Sequence, residues 1–182
     1  ALYLRERRGR GASSSSFRPK FCMIDKELLV KTVIEAISGT DLFLVEAKVG
    51  SSNDINIEID SASGVDIDTC ARITRRIEEV FDRETEDYSL EVGSAGLTSP
   101  FKVRRQYEKN VGNDVEVLTS DGRKLHGVLE SVEPGESDTD VAFVVTVPVK
   151  VKEPGAKRPV VRMEPQQLSS GACKYVRYDI KF

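Results

Sequence analysis

Four cations crowd into residues 102–109: Lys102, Arg104, Arg105 and Lys109, with the rings of Phe101 and Tyr107 beside and between them. Cations interleaved with aromatics suit a nucleic-acid backbone or an acidic protein face. Just upstream lies Gly93-Ser94-Ala95-Gly96, a loop with little side-chain cover. Its two glycines permit backbone angles closed to other residues, and bare amides can approach a phosphate or a partner's strand. Leu97 follows, and Pro100 ends the loop at a fixed φ. The candidate contact set is Gly93, Ser94, Gly96, Leu97, Pro100, Lys102, Arg104 and Arg105. Its chemistry is recognition of RNA or of a protein, not bond making.

Catalysis finds no support elsewhere in the chain. No Ser/His/Asp, Cys/His or paired-carboxylate arrangement can be assembled, so an enzyme is not expected. The single histidine, His126, lies within a strand pattern and has no neighbour that would make it a ligand or base. Cys22, Cys70 and Cys173 are far apart and odd in number, which argues against a disulfide framework and a zinc site. No metal or cofactor is expected. Gly93 to Gly96 spells the GxxG of a KH domain, but that loop joins two helices, whereas this one leaves a strand. The run from Asp60 to Asp68 looks like a calcium loop, yet Ala62, Gly64 and Ala71 stand where an EF-hand needs oxygen ligands. A turn followed by a helix cap is the better reading.

The chain has 182 residues, 39% hydrophobic and 31% charged, ordinary for a soluble globular protein. No apolar run approaches the length of a membrane span. Net charge is −3, unevenly divided. Residues 1–22 carry six cations against Glu6 alone, a surplus of five, so the rest of the chain stands at −8. An acidic body argues against wholesale coating of nucleic acid and fits a basic protein partner, or RNA contact confined to a patch. Scattered cysteines fit a reducing, cytoplasmic setting.

The elements that must position the contact set follow from periodicity. Residues 1–22 show none and read as a flexible basic leader, not native, with Met23 as the natural start; an organelle transit peptide and a basic arm that grips RNA are the other readings. Leu29, Val30, Val33, Ile34 and Ile37 repeat at helical spacing, and Gly39 stops the helix. Residues 42–49 and 54–60 are strands joined by Gly-Ser-Ser-Asn as an antiparallel hairpin, with Ile55, Ile57 and Ile59 inward. Asp66 caps a second helix, with Val65 packing on Cys70; its buried stripe is Ile67, Cys70, Ala71, Ile77, Val80 and Phe81. Arg72, Arg75 and Arg76 form its solvated side, paired with Glu78 and Glu79. A strand begins at Tyr88, giving α-β-β-α-β with both helices on one face.

After Pro100 a short helical connector spans 101–110, and the helical period then ends. Strands are expected around Val115 and Val117, across an Asp121-Gly122 turn to Leu125–Leu129, and from Phe143 to Val151. A short strand over Val160–Met163, a turn over 165–171 and a last strand from Cys173 to Ile180 complete the pattern. Such a meander points to a small bent barrel, because closure hides sheet edges. The fold class is therefore α+β: a two-layer domain over 23–100 and an all-β barrel domain over 101–182. Lys150, Lys152, Lys157, Arg158 and Arg162 give the barrel a second basic rim.

Particular residues also resemble the RimP family of ribosome maturation factors. Leu44-Val45-Glu46, Ile57-Glu58-Ile59-Asp60, Gly64-Val65 and Asp68-Thr69-Cys70 look like landmarks of its N-terminal domain. Tyr88-Ser-Leu-Glu-Val, then Ser94, Gly96-Leu97 and Pro100, is similar to its Tyr-x-Leu-Glu-Val-Ser-Ser-Pro-Gly-Leu-Asp-Arg-Pro-Leu signature. Gly112, Asp121-Gly122-Arg123 and Gly127-x-Leu129 look like its C-terminal domain. Gly93, Ala95, Thr98, Ser99 and Phe101 depart from the signature; with its Arg replaced by Ser99, Lys102, Arg104 and Arg105 are the substitutes. The resemblance implies an N-terminal α/β domain, a C-terminal Sm-like (SH3-type) barrel and a monomer in the bacterial cytoplasm. It also implies non-enzymatic help in assembling the small ribosomal subunit, through rRNA and a basic ribosomal protein. The rival readings are a stand-alone RNA-binding regulator using the barrel, and a hydrolase or nuclease.

Overall fold

Local capping and alternation build most of the elements as expected. The computed structural model describes residues 24–85, 87–135, 137–151 and 159–180. The leader at 1–22, Met23, the Pro-Gly pair at 154–155 and the cations Lys152, Lys157 and Arg158 lie outside the described residues.

Helix α1 (Lys26–Ile37) starts at Asp25, whose carboxylate accepts from the amides of Glu27 and Leu28. Leu29, Val33 and Ile37 form its buried line, four residues apart. The stripe is narrower than expected, for Ile34 is 52% exposed. Ile34 sits one residue, roughly 100°, around the helix from Val33, and that turn takes it off the sheet. Strands β1 (Phe43–Val49) and β2 (Asp54–Asp60) pair antiparallel, as their alternation requires. Helix α2 (Ile67–Val80) is capped by Asp66, which accepts from the Thr69 amide at 2.6 Å. Its fully buried residues are Ile73 and Ile77, whereas Ile67, expected inside, is 87% exposed in the first turn. Arg76 pairs with Glu79 on the solvated side. Strand β3 (Ser89–Ser94) lies beside β2 and parallel to it. The crossover through α2 makes that possible, since parallel neighbours need a long connection. The sheet order is β1-β2-β3.

The β1–β2 turn depends on Asn53, the one described non-glycine residue with positive φ (58°). It is 2% exposed; its side chain accepts from the Ile24 amide and donates to the Asp87 carbonyl. Asn53→Ala combines left-handed strain with the loss of these bonds, and is expected to cost about 2 kcal/mol. Asn53→Gly relieves the strain alone and should recover roughly half of that, read as urea midpoints.

Helix α3 (Arg104–Lys109) leads into β4 (Asp114–Thr119), β5 (Lys124–Val132), β6 (Ala142–Val151), β7 (Val160–Ser169), a 3-10 turn over Ser170–Ala172 and β8 (Cys173–Tyr178). The β4–β5 turn holds Gly122 at φ 88°, as a tight hairpin demands. The second sheet has the order β7-β6-β5-β4-β8, all pairs antiparallel. Two expectations need correction. The turn placed at 165–171 is mostly strand: β7 runs on to Ser169, paired with β6 along its length. Pro165 masked the continuation, but β7 is an edge strand, where a missing donor is tolerated. The expected barrel is also not closed, since β7 and β8 stand at opposite ends of the strand order.

Each sheet has its own core. Leu29, Val33, Ile55, Ile57, Ile59, Ile73, Ile77 and Tyr88 belong to the first. Tyr107, Val115, Val117, Leu129, Phe143, Val145 and Val176 belong to the second. Phe101, Tyr107 and Phe143 meet in sequence, the first pair edge to face and the second tilted, with 5.2 Å between successive ring centroids. No described helix is long and apolar enough to cross a membrane.

Candidate partner-binding surface

The segment from Gly93 to Lys109 leaves the first sheet and enters the second core, so its residues lie where the two sheets approach. Strand β3 ends at Ser94, and the Ala95 amide still donates to the Ile59 carbonyl. Ser94, Gly96, Leu97 and Pro100 are exposed, Leu97 by 72%. The loop is open for a different reason from the one expected. Among the described residues the glycines with positive φ are Gly39, Gly64, Gly112 and Gly122, so neither Gly93 nor Gly96 uses a left-handed angle. A Cβ at Gly93 would meet nothing within 4 Å, while one at Gly96 would press on Ser99 Oγ at 3.1 Å. The Ser99 amide closes a turn onto the Gly96 carbonyl, and the Phe101 amide is fixed to Val176 of β8. A recess of about 180 Å³ opens between this loop and α3, lined by Asp60, Gly96, Leu97, Lys109, Asn113 and Tyr178.

The cations of the contact set face inward as much as outward. Lys102 Nζ donates to Glu46 and, at 2.6 Å, to Glu58. Glu46 and Glu58 are opposite each other in the β1/β2 register, where like charges repel, and the ammonium between them cancels that repulsion. The Lys102 bond holds the Glu46 carboxyl below its ordinary range. Burial alone would lower the Lys102 pKa, but the bonds to Glu46 and Glu58 outweigh it and raise it. Lys109 Nζ reaches Asp60 at 2.7 Å. The Arg105 guanidinium lies 4.8 Å from the centroid of the Phe43 ring. Arg104 turns the other way and donates to the Glu133 and Ser137 carbonyls. Gln106 Oε1 accepts from the Lys102 and Val103 amides and so caps α3. The structure thus brings Lys102, Arg105 and Lys109 to the face of the first sheet opposite Ile55, Ile57 and Ile59, separates Arg104 from them, and leaves the loop residues exposed alongside.

A second polar cluster, on the other sheet, is absent from the contact set. Glu116 of β4, with a side chain only 7% exposed, accepts from Tyr175 Oη at 2.6 Å and from Arg177 Nη2 at 2.8 Å, and pairs with Lys124 at 2.9 Å. Burial pushes the Glu116 carboxyl up, but the bonds from Tyr175, Lys124 and Arg177 outweigh it and hold the pKa at about 2. His126, expected without a partner, has its Nδ1 2.9 Å from Asp179 Oδ2 and its Nε2 4.0 Å from Glu116. Glu116, His126 and Asp179 could approach one metal ion. The Arg177 and Lys124 charges already held by Glu116 make this an ion-pair network instead. Glu116 pairs with His126 on one side and Arg177 on the other in the sheet register. Alternation puts each residue on a face, but nothing local says which strands become neighbours, so sequence reasoning had no signal for this cluster. Lys150 and Arg162 of the second basic rim are exposed and opposite one another's neighbours on β6 and β7.

The chain is similar to known proteins. The family model described as the RimP N-terminal domain matches residues 29–98. Ribosome maturation factor RimP of Porphyromonas gingivalis is 44% identical over 147 residues, 81% of this chain and 91% of that protein. Its counterpart in Cytophaga hutchinsonii is 32% identical over 171 residues, 88% of this chain and 99% of that protein. The one from Christiangramia forsetii is 40% identical over 97 residues, 53% of this chain and 62% of that protein.

Proposed function

The chain belongs to the RimP family of ribosome maturation factors, and from that premise we propose that it assists maturation of the small ribosomal subunit by binding, without chemistry of its own. The carrying observation is similarity to named maturation factors along most of the chain, spanning both sheets. In this reading the partners are precursor rRNA and a basic ribosomal protein, and the protein works as a monomer in the cytoplasm. The two cores are two domains meeting near Pro100, and the second sheet is an Sm-like sheet bent toward a barrel. The exposed loop at Ser94, Gly96, Leu97 and Pro100 touches the precursor. An acidic body speeds encounter with a basic ribosomal protein, since complementary charge steers association. Binding can bias rRNA folding only through unequal affinity for two states, so the factor holds an immature conformation more tightly than the finished one. Release then follows from completion.

Gradient sedimentation of extracts tests this. The expected result is co-migration with immature small subunits, and accumulation of those precursors when the gene is deleted. A deletion strain with balanced subunits, and protein confined to the top of the gradient, overturns it. Tight, steeply salt-dependent binding to free RNA together with balanced subunits would favour a stand-alone RNA-binding regulator.

A further inference from the structure

We propose that Lys102, Arg105 and Lys109 form a phosphate-binding strip for RNA that the protein's own N-terminal sheet masks, so that RNA binds there by displacing carboxylates. The proposal rests on the reading above that the chain binds rRNA.

Helix α3 has two unlike sides. Its apolar side belongs to the second core, where Tyr107 is buried between Phe101 and Phe143. Its cationic side, with Lys102 just ahead of the helix, reaches the first sheet through four contacts: Lys102 to Glu46 and to Glu58, Lys109 to Asp60, and Arg105 over the Phe43 ring. Neither core lends a residue to the other, and ion pairs together with the Arg105–Phe43 contact join the two at α3. Junctions of partly exposed ion pairs are weak, because water screens the charges and holding long side chains costs entropy. A carboxylate and a phosphate oxygen are chemically equivalent acceptors for an ammonium or guanidinium. RNA offers such oxygens in series, and binding releases condensed counterions, which a pair of protein carboxylates cannot match. The same three cations can therefore serve the protein's carboxylates in the free state and a phosphate backbone in the bound one. The exposed loop at Gly96 and Leu97 shares a recess with Lys109 and Asp60, so RNA lodged against it meets the strip.

The test uses the full chain and a fluorescently labelled oligouridylate followed by anisotropy. The double variant Glu46→Gln/Glu58→Gln removes the mask over Lys102; it also releases Lys48 from Glu46, but that lysine is already exposed and adds little. A control, Glu35→Gln/Glu84→Gln, changes net charge equally at exposed sites on α1 and in the connection from α2 to β3. The unmasked variant should bind about tenfold more tightly than the control, with a log–log salt slope steeper by about 0.7, the share of one freed cation on a single strand. Adding Lys102→Ala to the unmasked variant should erase the gain. Equal affinities of unmasked variant and control, or a gain that survives Lys102→Ala, overturns the proposal. Absence of oligouridylate binding by every variant, with unchanged urea midpoints, overturns it too. The maturation reading stands or falls separately, on the subunit profile in cells.

Discussion

A Glu116→Ala variant is expected to lose about 3 kcal/mol of stability, the low end of what removing one partner of a buried ion pair costs. The low end applies because Lys124 and Arg177 remain partly exposed and can turn to water, whereas the Tyr175 hydroxyl loses a 2.6 Å bond. The effect spreads over three strands, since Glu116 on β4 holds Lys124 of β5 and both Tyr175 and Arg177 of β8. The same carboxylate gives the protein an acid limb. Its folded pKa, about 2, lies below its ordinary 4.5, so its stabilisation is complete above pH 4.5 and is lost as pH falls toward 2. Urea midpoints measured across that window should fall for the parent and fall less for Glu116→Ala. A loss under about 1 kcal/mol, or parallel pH curves for the two proteins, would show that the network contributes no more than exposed pairs do.

Gly127→Ala is the other large effect, and here the cause is steric. A Cβ at Gly127 of β5 would lie 2.4 Å from the Thr146 carbonyl oxygen and 2.9 Å from Cγ1 of both Val145 and Val147. The nearest obstacle is the backbone of β6, which cannot rotate away as a side-chain tip can. Strands β5 and β6 must separate or bend, and the valines involved are core residues. We expect a loss of about 3 kcal/mol, the upper part of the range for overpacked cores. In a chain this size that lowers the melting temperature by about 10 °C. Gly93→Ala is the internal control, because its Cβ enters open space at ordinary backbone angles. It should stay within about 0.5 kcal/mol of the parent. If the two substitutions cost the same, the close approach at Thr146 is not what requires glycine there.

The amino-acid sequence by itself determined the local pieces of this protein. Ile55, Ile57 and Ile59 alternate into a half-buried strand because successive side chains of an extended chain point to opposite faces. Asp66 starts α2 because its carboxylate meets an amide three residues on, and Gly122 turns the β4–β5 hairpin because it accepts a positive φ. These are decisions among near neighbours in the chain. The same logic failed at β7, where Pro165 looks like a break until pairing with β6 makes it an edge strand. It failed again at Ile67, whose spacing fits the helix stripe but whose place in the first turn lies beyond the sheet. The stretch proposed for contact could be delimited along the chain, but the orientation of its cations could not. Lys102 finds Glu46 and Glu58 across 56 and 44 residues of chain, and Glu116 finds Arg177 across 61. Only the packing of the sheets decided those partners, because a charge answers to whatever is near it in space, while periodicity records only what is near it along the chain.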